Sequence, residues 1–453
     1  MAISDTQIDK LRARELERFI ANRPRSTALW QQAQKYMPNG VPMAWMVQLY
    51  DHPPMFVKSG DGAYFVDVDG HRYLDMNLAD TSMPFGYAEP QLTAAASEQM
   101  ARGSQFMLPN EDSIAVAEQL SSRFGLPKWQ FTLAGSSANT EAIRIARAIT
   151  GRSDILMFAG KYHGMIDDTL VAEDGGERIL EGAGISEDVK KHAHIVQFND
   201  LDAVERSLKN HDIACVITEP ALTNVGVIQP ESNFHTALRE LTRTHGTLLI
   251  IDEAHTNVCA FGGLSNEWKL DPDILTLCKA IGGSVAIGAY GMTEDVASIL
   301  ESQSDSELPS FATTAVVATG GTLFGNALSM ATARCTLERV MTQQAHQRAN
   351  DVGGRLADGI QNKIEAHGLP WSTIRFYCRS GYFFAPDLPA NARQMQASEN
   401  LPLRQLIRLY LANRGVWEAI YSASPAVGFR TTANDVDFYC EAFDNCLAGL
   451  VRI

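Results

Sequence analysis

A lysine set between an apolar strand and a glycine turn is awkward for a packed core, and the segment ILTLCKAIGG puts Lys279 there. An ammonium at such a place loses hydration unless it is paired. Desolvation favours the neutral amine, which is a nucleophile toward a carbonyl carbon. The ordinary alternative is a side chain whose head reaches solvent. Upstream, the run TLLII delivers Asp252 at its end, followed by Glu253. A carboxylate emerging there must be solvated or paired, and a cofactor ring nitrogen would pair it; a helix cap is the simpler reading. After WQFTL comes Ala134-Gly135-Ser136-Ser137-Ala138-Asn139, running into TEAIRIARAIT. Small residues admit a ligand to the backbone, and a helix N-terminus with added hydroxyls makes a cup for phosphate, although an unremarkable strand-to-helix turn looks the same.

Three further segments belong with these. Tyr162-His163-Gly164 follows DILMFAG, and either ring could stack on a planar group. Glu219-Pro220 follows ACVIT, with Asn224 close behind. The stretch Gly320-Gly321-Thr322-Leu323-Phe324-Gly325-Asn326 offers a second small-residue, donor-rich loop. Each has a dull explanation, but all of them end or follow predicted strands, where doubly wound sheets bind ligands. A phosphate cup, an acid for a ring nitrogen, an amine and an aromatic face are together what pyridoxal phosphate needs.

The elements that must position these residues follow from hydrophobic patterning. The first 25 residues read as one amphipathic helix through Ile8, Leu11, Leu16, Phe19 and Ile20, ended by Pro24 and expected to pack on a partner or neighbouring domain. MFVKSGDGAYFVDVDGHRYLDM alternates with period two around Gly-Asp-Gly and Asp-Gly turns, a meander of short antiparallel strands. From about 110 to 335, strands WQFTLAG, DILMFAG, HIVQF, ACVITEP, TLLIIDEA, ILTLCKA and AIGAYGMT alternate with helical runs, the pattern of a mainly parallel sheet covered by helices. A single long helix from about 330, the strand-like FYCRSGYFFAP and two more helices then make a smaller α+β unit. The expected fold class is therefore α/β, divided as an arm and meander at 1–75 packing with the small domain, a large domain at 76–335 and a small domain at 336–453.

With 453 residues, 45% hydrophobic and 20% charged, the chain can bury two cores. A net charge of −15 argues against a nucleic-acid partner. No apolar run reaches the roughly 18 residues of a spanning helix, and no signal segment is visible, so no membrane partner is expected. The seven cysteines are odd in number, lack CxxC and lack His at zinc-like spacing; they read as reduced thiols of a cytoplasmic protein, with no metal site expected.

At this point the residues resemble the class III aminotransferases of fold type I. The similarity is greatest to the branch holding glutamate-1-semialdehyde aminomutase and the β-phenylalanine and D-phenylglycine aminotransferases. It runs through MPNGVP, YFVDVDGHRYLDM, FTLAGSSANTEA, YHG, EPALTNVG, LLIIDEAHT, LTLCKAIGG and GGTLFGNALSMA. The resemblance implies a pyridoxal 5'-phosphate cofactor, Lys279 as its Schiff-base lysine and proton shuttle, and Asp252 as partner of the pyridinium. It implies phosphate contacts from Gly135 and Ser136, with Thr322 reaching the neighbouring subunit's cofactor in a homodimer. Tyr162 would stack on the ring, and Glu219 and Asn224 would lie near its hydroxyl.

Three departures stand out. The phosphate loop reads AGSSA where the family often has SGTEA, so Ser137 replaces a common Glu. The usual DEV is DEA, followed by His255. The Arg that the branch often carries for a substrate carboxylate is missing from MPNGVPMAWMVQLYDHPP, where Met43, Trp45 and Met46 make an apolar wall; Arg375, Arg379 and Arg430 are replacements, each more simply a surface ion pair. The expected activity is a ping-pong transfer from a hydrophobic or aromatic amino donor to an oxo-acid acceptor. The alternatives are an aminomutase or racemase acting within one molecule, and a non-catalytic binding protein that keeps the fold.

Overall fold

The computed structural model describes residues 4–302, 317–418 and 424–451. The chain forms two compact units, residues 1–89, 344–388 and 396–453 in the first and 90–343 with 389–395 in the second.

In the first unit, the meander is a four-stranded sheet, Val57–Asp61, Tyr64–Asp67 and Arg72–Met76 antiparallel, with Val416–Glu418 added in parallel on Arg72–Met76. The N-terminal arm is two helices rather than one: Asp5–Ala21 ends before Pro24, and Pro24 itself opens Pro24–Ala33. A proline lacks only an N–H that the first helical turn leaves unused, so it starts a helix as readily as it stops one. Phe19, 2% exposed, packs with Leu409 and Ala412 of the helix Leu401–Ala412, so the arm is buried within its own unit. Four consecutive residues, Leu78 to Thr81, have φ of 53°, 47°, 56° and 63°, a left-handed turn of non-glycine residues. L-residues resist that conformation by about 1–2 kcal/mol each. Asp75 holds the turn's entry by accepting the Asn77 and Leu78 N–H groups at 2.8 and 2.9 Å.

The second unit is built on a seven-stranded sheet. Its strands in chain order are β1 (Lys128–Thr132), β2 (Asp154–Phe158), β3 (Ala193–Val196), β4 (Ile213–Thr218), β5 (Leu248–Asp252), β6 (Ile274–Cys278) and β7 (Gly288–Met292). Their spatial order is β1-β7-β6-β5-β4-β2-β3, with β7 antiparallel to both neighbours and the remaining pairs parallel. Strands β4 and β6 are buried at every position, which is why IACVIT and ILTLC are continuous apolar runs instead of alternating ones. The helix Gly135–Thr150 lays Ala138, Ala142, Ile145 and Ala146 against the sheet and ends on Gly151 at φ 67°. A left-handed Gly at that position closes a helix without steric penalty.

The long helix expected after 330 is three pieces: α-helix Ala327–Cys335, a π-helical turn Thr336–Val340 and α-helix Gln343–Ala366. The break has a local cause. Arg123, buried beside it, donates to the carbonyls of Leu337 and Met341, the latter at 2.9 Å, and so satisfies acceptors that a continuous helix would use. FYCRSGYFFAP contributes only Gly381–Phe383 as strand, paired with Ser372–Ile374. Among the described residues no helix is long and apolar enough to cross a membrane.

Candidate active site

Parallel strands deliver their last residues to one edge of the sheet, and the chemistry-bearing side chains of the second unit meet there. Asp252 closes β5 and is 3% exposed. Its Oδ2 accepts from His163 Nδ1 at 2.9 Å and from Asn139 Nδ2 at 2.8 Å, while Oδ1 accepts the Ala254 N–H at 2.9 Å. Burial alone would raise its pKa, but those donors, His163 foremost, outweigh it and hold the carboxyl below the usual aspartate range. Asn139 is fixed in turn, its oxygen accepting from Thr276 Oγ1 at 2.7 Å. Asp252 is thus kept as an anion in a dry place. His163 is an anchor for that anion rather than a stacking ring, since its side chain is fully buried against Asp252. Its Nε2 is buried without a hydrogen-bond partner, the kind of atom that a bound ligand or water satisfies.

Lys279 follows β6, the neighbour of β5, and has φ +57°. Left-handed backbone at a residue with a long side chain is strain of the kind that collects at functional positions. Its Nζ lies 2.6 Å from His255 Nε2. His255 Nδ1 is 2.8 Å from Thr223 Oγ1, and Thr223 donates to Glu219. Glu219 also accepts from Asn224 at 3.3 Å. The donors and acceptors run one way along this chain, from ammonium to imidazole to hydroxyl to carboxylate, when His255 carries its proton on Nδ1. Glu219, Thr223 and His255 are all buried. His255 and Thr223 are the residues that sequence reasoning missed as participants. The sequence signal was present at DEAHT, where an imidazole comes one residue after the strand-end acids.

The phosphate cup has the expected local form. The helix Gly135–Thr150 starts at Gly135, where an added Cβ would meet Cys278 Sγ at 2.8 Å, so only glycine allows this helix start to approach β6. Ser136 is pressed by Gly164, at φ +104°, where a Cβ would fall 2.4 Å from Ser136 Oγ. Ser136 Oγ accepts the Met165 N–H at 3.0 Å, leaving its own proton to donate. Tyr162, between Lys161 and His163 in the chain, is half-buried. Thr322 stands apart: it is exposed in a turn whose carbonyl receives Gln105, and no described contact links it to Lys279 or Asp252.

The three arginines considered for a substrate carboxylate lie in the first unit. Arg375 pairs with Asp358 on the surface, and Arg430, largely exposed, lies 3.9 Å from Glu89. Arg379 is instead buried, 1% exposed, so it is no surface ion pair. The first unit also holds an apolar cavity of about 490 Å³, whose walls include Met46, Tyr50, His52, Phe65 and Trp417, with Asp75 among its few polar groups.

An anionic strand-end acid, a strained lysine on the next strand and a helix N-terminus at the same sheet edge define a fold type I pyridoxal-phosphate site. Comparison with known proteins agrees. Residues 46–446 match the family model "Aminotransferase class-III", and the chain belongs to that family. It is 34% identical over 352 residues to a glutamate-1-semialdehyde 2,1-aminomutase of Anaeromyxobacter sp., covering 76% of this chain and 79% of that protein. It is 31% identical over 439 residues to the enzyme of that name from Persephonella marina, covering 94% and 99%. Among solved structures, a glutamate-1-semialdehyde-aminomutase from Pseudomonas aeruginosa superposes with TM-score 0.94 at 35% identity, covering 99% of this chain and 100% of that one. A further structure of that Pseudomonas enzyme is a complex with PMP. A β-phenylalanine aminotransferase from Variovorax paradoxus superposes with TM-score 0.85 at 25% identity, covering 98% of each. The protein is therefore a pyridoxal-phosphate enzyme of the class III aminotransferases.

Proposed function

We propose that this enzyme relocates an amino group within one molecule, as a 2,1-aminomutase acting on an amino aldehyde of the glutamate-1-semialdehyde type. The transferase chemistry rests on one observation, the ionised Asp252 buried beside the strand that leads into Lys279. The intramolecular mode is supported by the near full-length similarity to aminomutases, in place of the intermolecular transfer expected first.

In this reading Lys279 carries the cofactor and Asp252 holds the ring nitrogen's proton. The backbone start of Gly135–Thr150 and the Ser136 hydroxyl take the phosphate, Tyr162 covers the ring, and Glu219 and Asn224 lie near its hydroxyl. When bound, pyridoxal phosphate supplies an aldehyde for the substrate amine and a protonated ring that accepts electron density. The Lys279 amine would take a proton from, or return one to, the substrate carbon that bears nitrogen. His255 keeps its Nζ in place, and Thr223 and Glu219 anchor the imidazole, so a proton taken up by the amine stays at a defined atom. Thr322 serves the phosphate of the other subunit in a homodimer, which accords with its exposure apart from the other residues. The seven buried cysteines, none of them in a disulfide, suit a cytoplasmic enzyme.

A second reading has a specific observation in its favour. The segment 37–54 carries no arginine and exposes Met43 and Met46, which suits a hydrophobic amino donor and an intermolecular transamination. Incubating the holoenzyme with glutamate-1-semialdehyde and no oxo acid separates the two. Continuing turnover with the amino group moved to the neighbouring carbon, read by NMR, supports the aminomutase. Conversion that stops at one equivalent per site and resumes on adding an oxo acid supports the transaminase. No conversion of this compound, alongside transamination of an aromatic amino acid, overturns the aminomutase reading.

A further inference from the structure

The opposite edge of the same sheet holds a cluster that the amino-transfer chemistry does not use. Asp154 is the first residue of β2, and His194 is the second of β3. In the parallel register His194 pairs with Leu156, two residues beyond Asp154, so Asp154 and His194 share one face. His211 comes from a third element, capping the C-terminus of the helix Leu201–Asn210. His194 Nε2 lies 2.8 Å from Asp154 Oδ2, the rings of His194 and His211 are 4.1 Å apart, and one ligand atom from each of the three residues falls within 4.8 Å of the others. His192 adds a fourth group, its Nδ1 2.8 Å from the other carboxylate oxygen.

We propose that Asp154, His194 and His211 form a binding site for a divalent transition-metal ion of the zinc class. Two imidazoles and a carboxylate suit Zn²⁺, Ni²⁺ or Cu²⁺ rather than Mg²⁺ or Ca²⁺, which favour oxygen ligands. Ligand bonds of about 2.0–2.2 Å place ligand atoms roughly 3.3–3.5 Å apart around a tetrahedral ion. The His194–Asp154 pair must open by a few tenths of an ångström to meet that spacing. His211, exposed at the end of its helix, can close the remainder by side-chain rotation. His194 is buried and its position is set by the strand, so the site has one rigid ligand and one adjustable one. His192 orients the carboxylate from behind, as groups outside the ligand set commonly do. Because Asp154 opens its strand whereas Asp252 ends one parallel to it, the ion would lie far along the sheet from Lys279. Its effect is to tie β2, β3 and the helix end together, not to act on substrate. The three residues lie far apart in sequence, which hides the site from a search for ligand spacing.

The test is calorimetric titration of ZnCl₂ into holoenzyme freed of metal by chelator and dialysis, with thermal unfolding in parallel. The expected result is one saturable site per chain and a raised unfolding midpoint. His211→Gln changes an exposed side chain and should fold normally; it should weaken binding at least tenfold while leaving the metal-free midpoint and the cofactor absorbance unchanged. Absence of saturable binding to the wild type overturns the proposal. So does Zn²⁺ binding by His211→Gln with wild-type affinity.

Discussion

Asp252→Asn isolates the charge on which the site depends. The carboxylate has acceptors on both sides, Oδ2 facing His163 and Asn139 and Oδ1 facing the Ala254 N–H. An amide has one acceptor and one donor. With its oxygen turned to His163 and Asn139, those bonds survive as neutral ones, each weaker by roughly 1 kcal/mol. Its NH₂ then faces the Ala254 N–H and leaves that half-buried donor unmet, a loss of about 1–3 kcal/mol. Together the variant should lose about 3–5 kcal/mol of unfolding free energy at neutral pH, and the opposite amide orientation would be worse. The pH dependence has a definite sign. A carboxyl whose pKa is depressed in the native state stabilises the fold at every pH above its unfolded value, and that contribution is lost as pH falls through the native value. The gap between wild type and variant should therefore narrow in acid. For catalysis, an amide cannot keep a ring nitrogen protonated. Loss of a preorganised group facing developing charge is worth about 3–4 kcal/mol, so the half-reaction should slow by about 10²–10³-fold at saturating cofactor. Stopped-flow absorbance measures that step and urea unfolding measures the stability. A half-reaction within threefold of wild type, with cofactor fully bound, would refute the role given to this carboxylate.

Other substitutions separate the remaining parts of the account. His255→Phe removes the acceptor 2.6 Å from Lys279 Nζ and the donor to Thr223; a charge-assisted bond of about 1.5–3 kcal/mol predicts a half-reaction about ten- to a hundredfold slower, and an unchanged rate would show that the imidazole only fills space. Gly164→Ala drives a Cβ toward Ser136 at a backbone φ of +104°, so the cofactor should bind at least tenfold more weakly in equilibrium dialysis; wild-type affinity would dissociate Ser136 from the phosphate. Arg239 grips Asp273 with two bonds of 2.6 and 2.7 Å, and Asp273 also accepts the Leu249 N–H of β5 just ahead of β6. Arg239→Met should lower unfolding free energy by about 2–4 kcal/mol while activity per folded molecule is kept; an unchanged urea midpoint would contradict that.

What was legible in the sequence was what a strand announces locally. Apolar runs interrupted by a charged residue mark strand ends, and that placed Asp252 and Lys279 at the ends of successive strands and the start of Gly135–Thr150 behind β1; that the two strands are neighbours in the sheet came from the structure. What was not legible needs distance in sequence. Asn139 and His163 reach Asp252 from other elements, and Thr223 reaches His255 across a loop, so no local pattern predicts those bonds. The first helix ends before Pro24 as expected, but the second helix that Pro24 opens was missed, because a proline marks a helix boundary without saying on which side the helix lies. The π-helical break after Cys335 depends on Arg123, distant in the chain, taking two carbonyls that a continuous helical pattern would claim.

The account's central claim is that the amine of residue 279 carries the cofactor. Borohydride reduction of the holoenzyme followed by peptide mapping should find a phosphopyridoxyl group on Lys279 at close to one per chain, and none in Lys279→Ala. A wild-type enzyme that binds pyridoxal phosphate yet yields the label on another lysine, or on none, contradicts it.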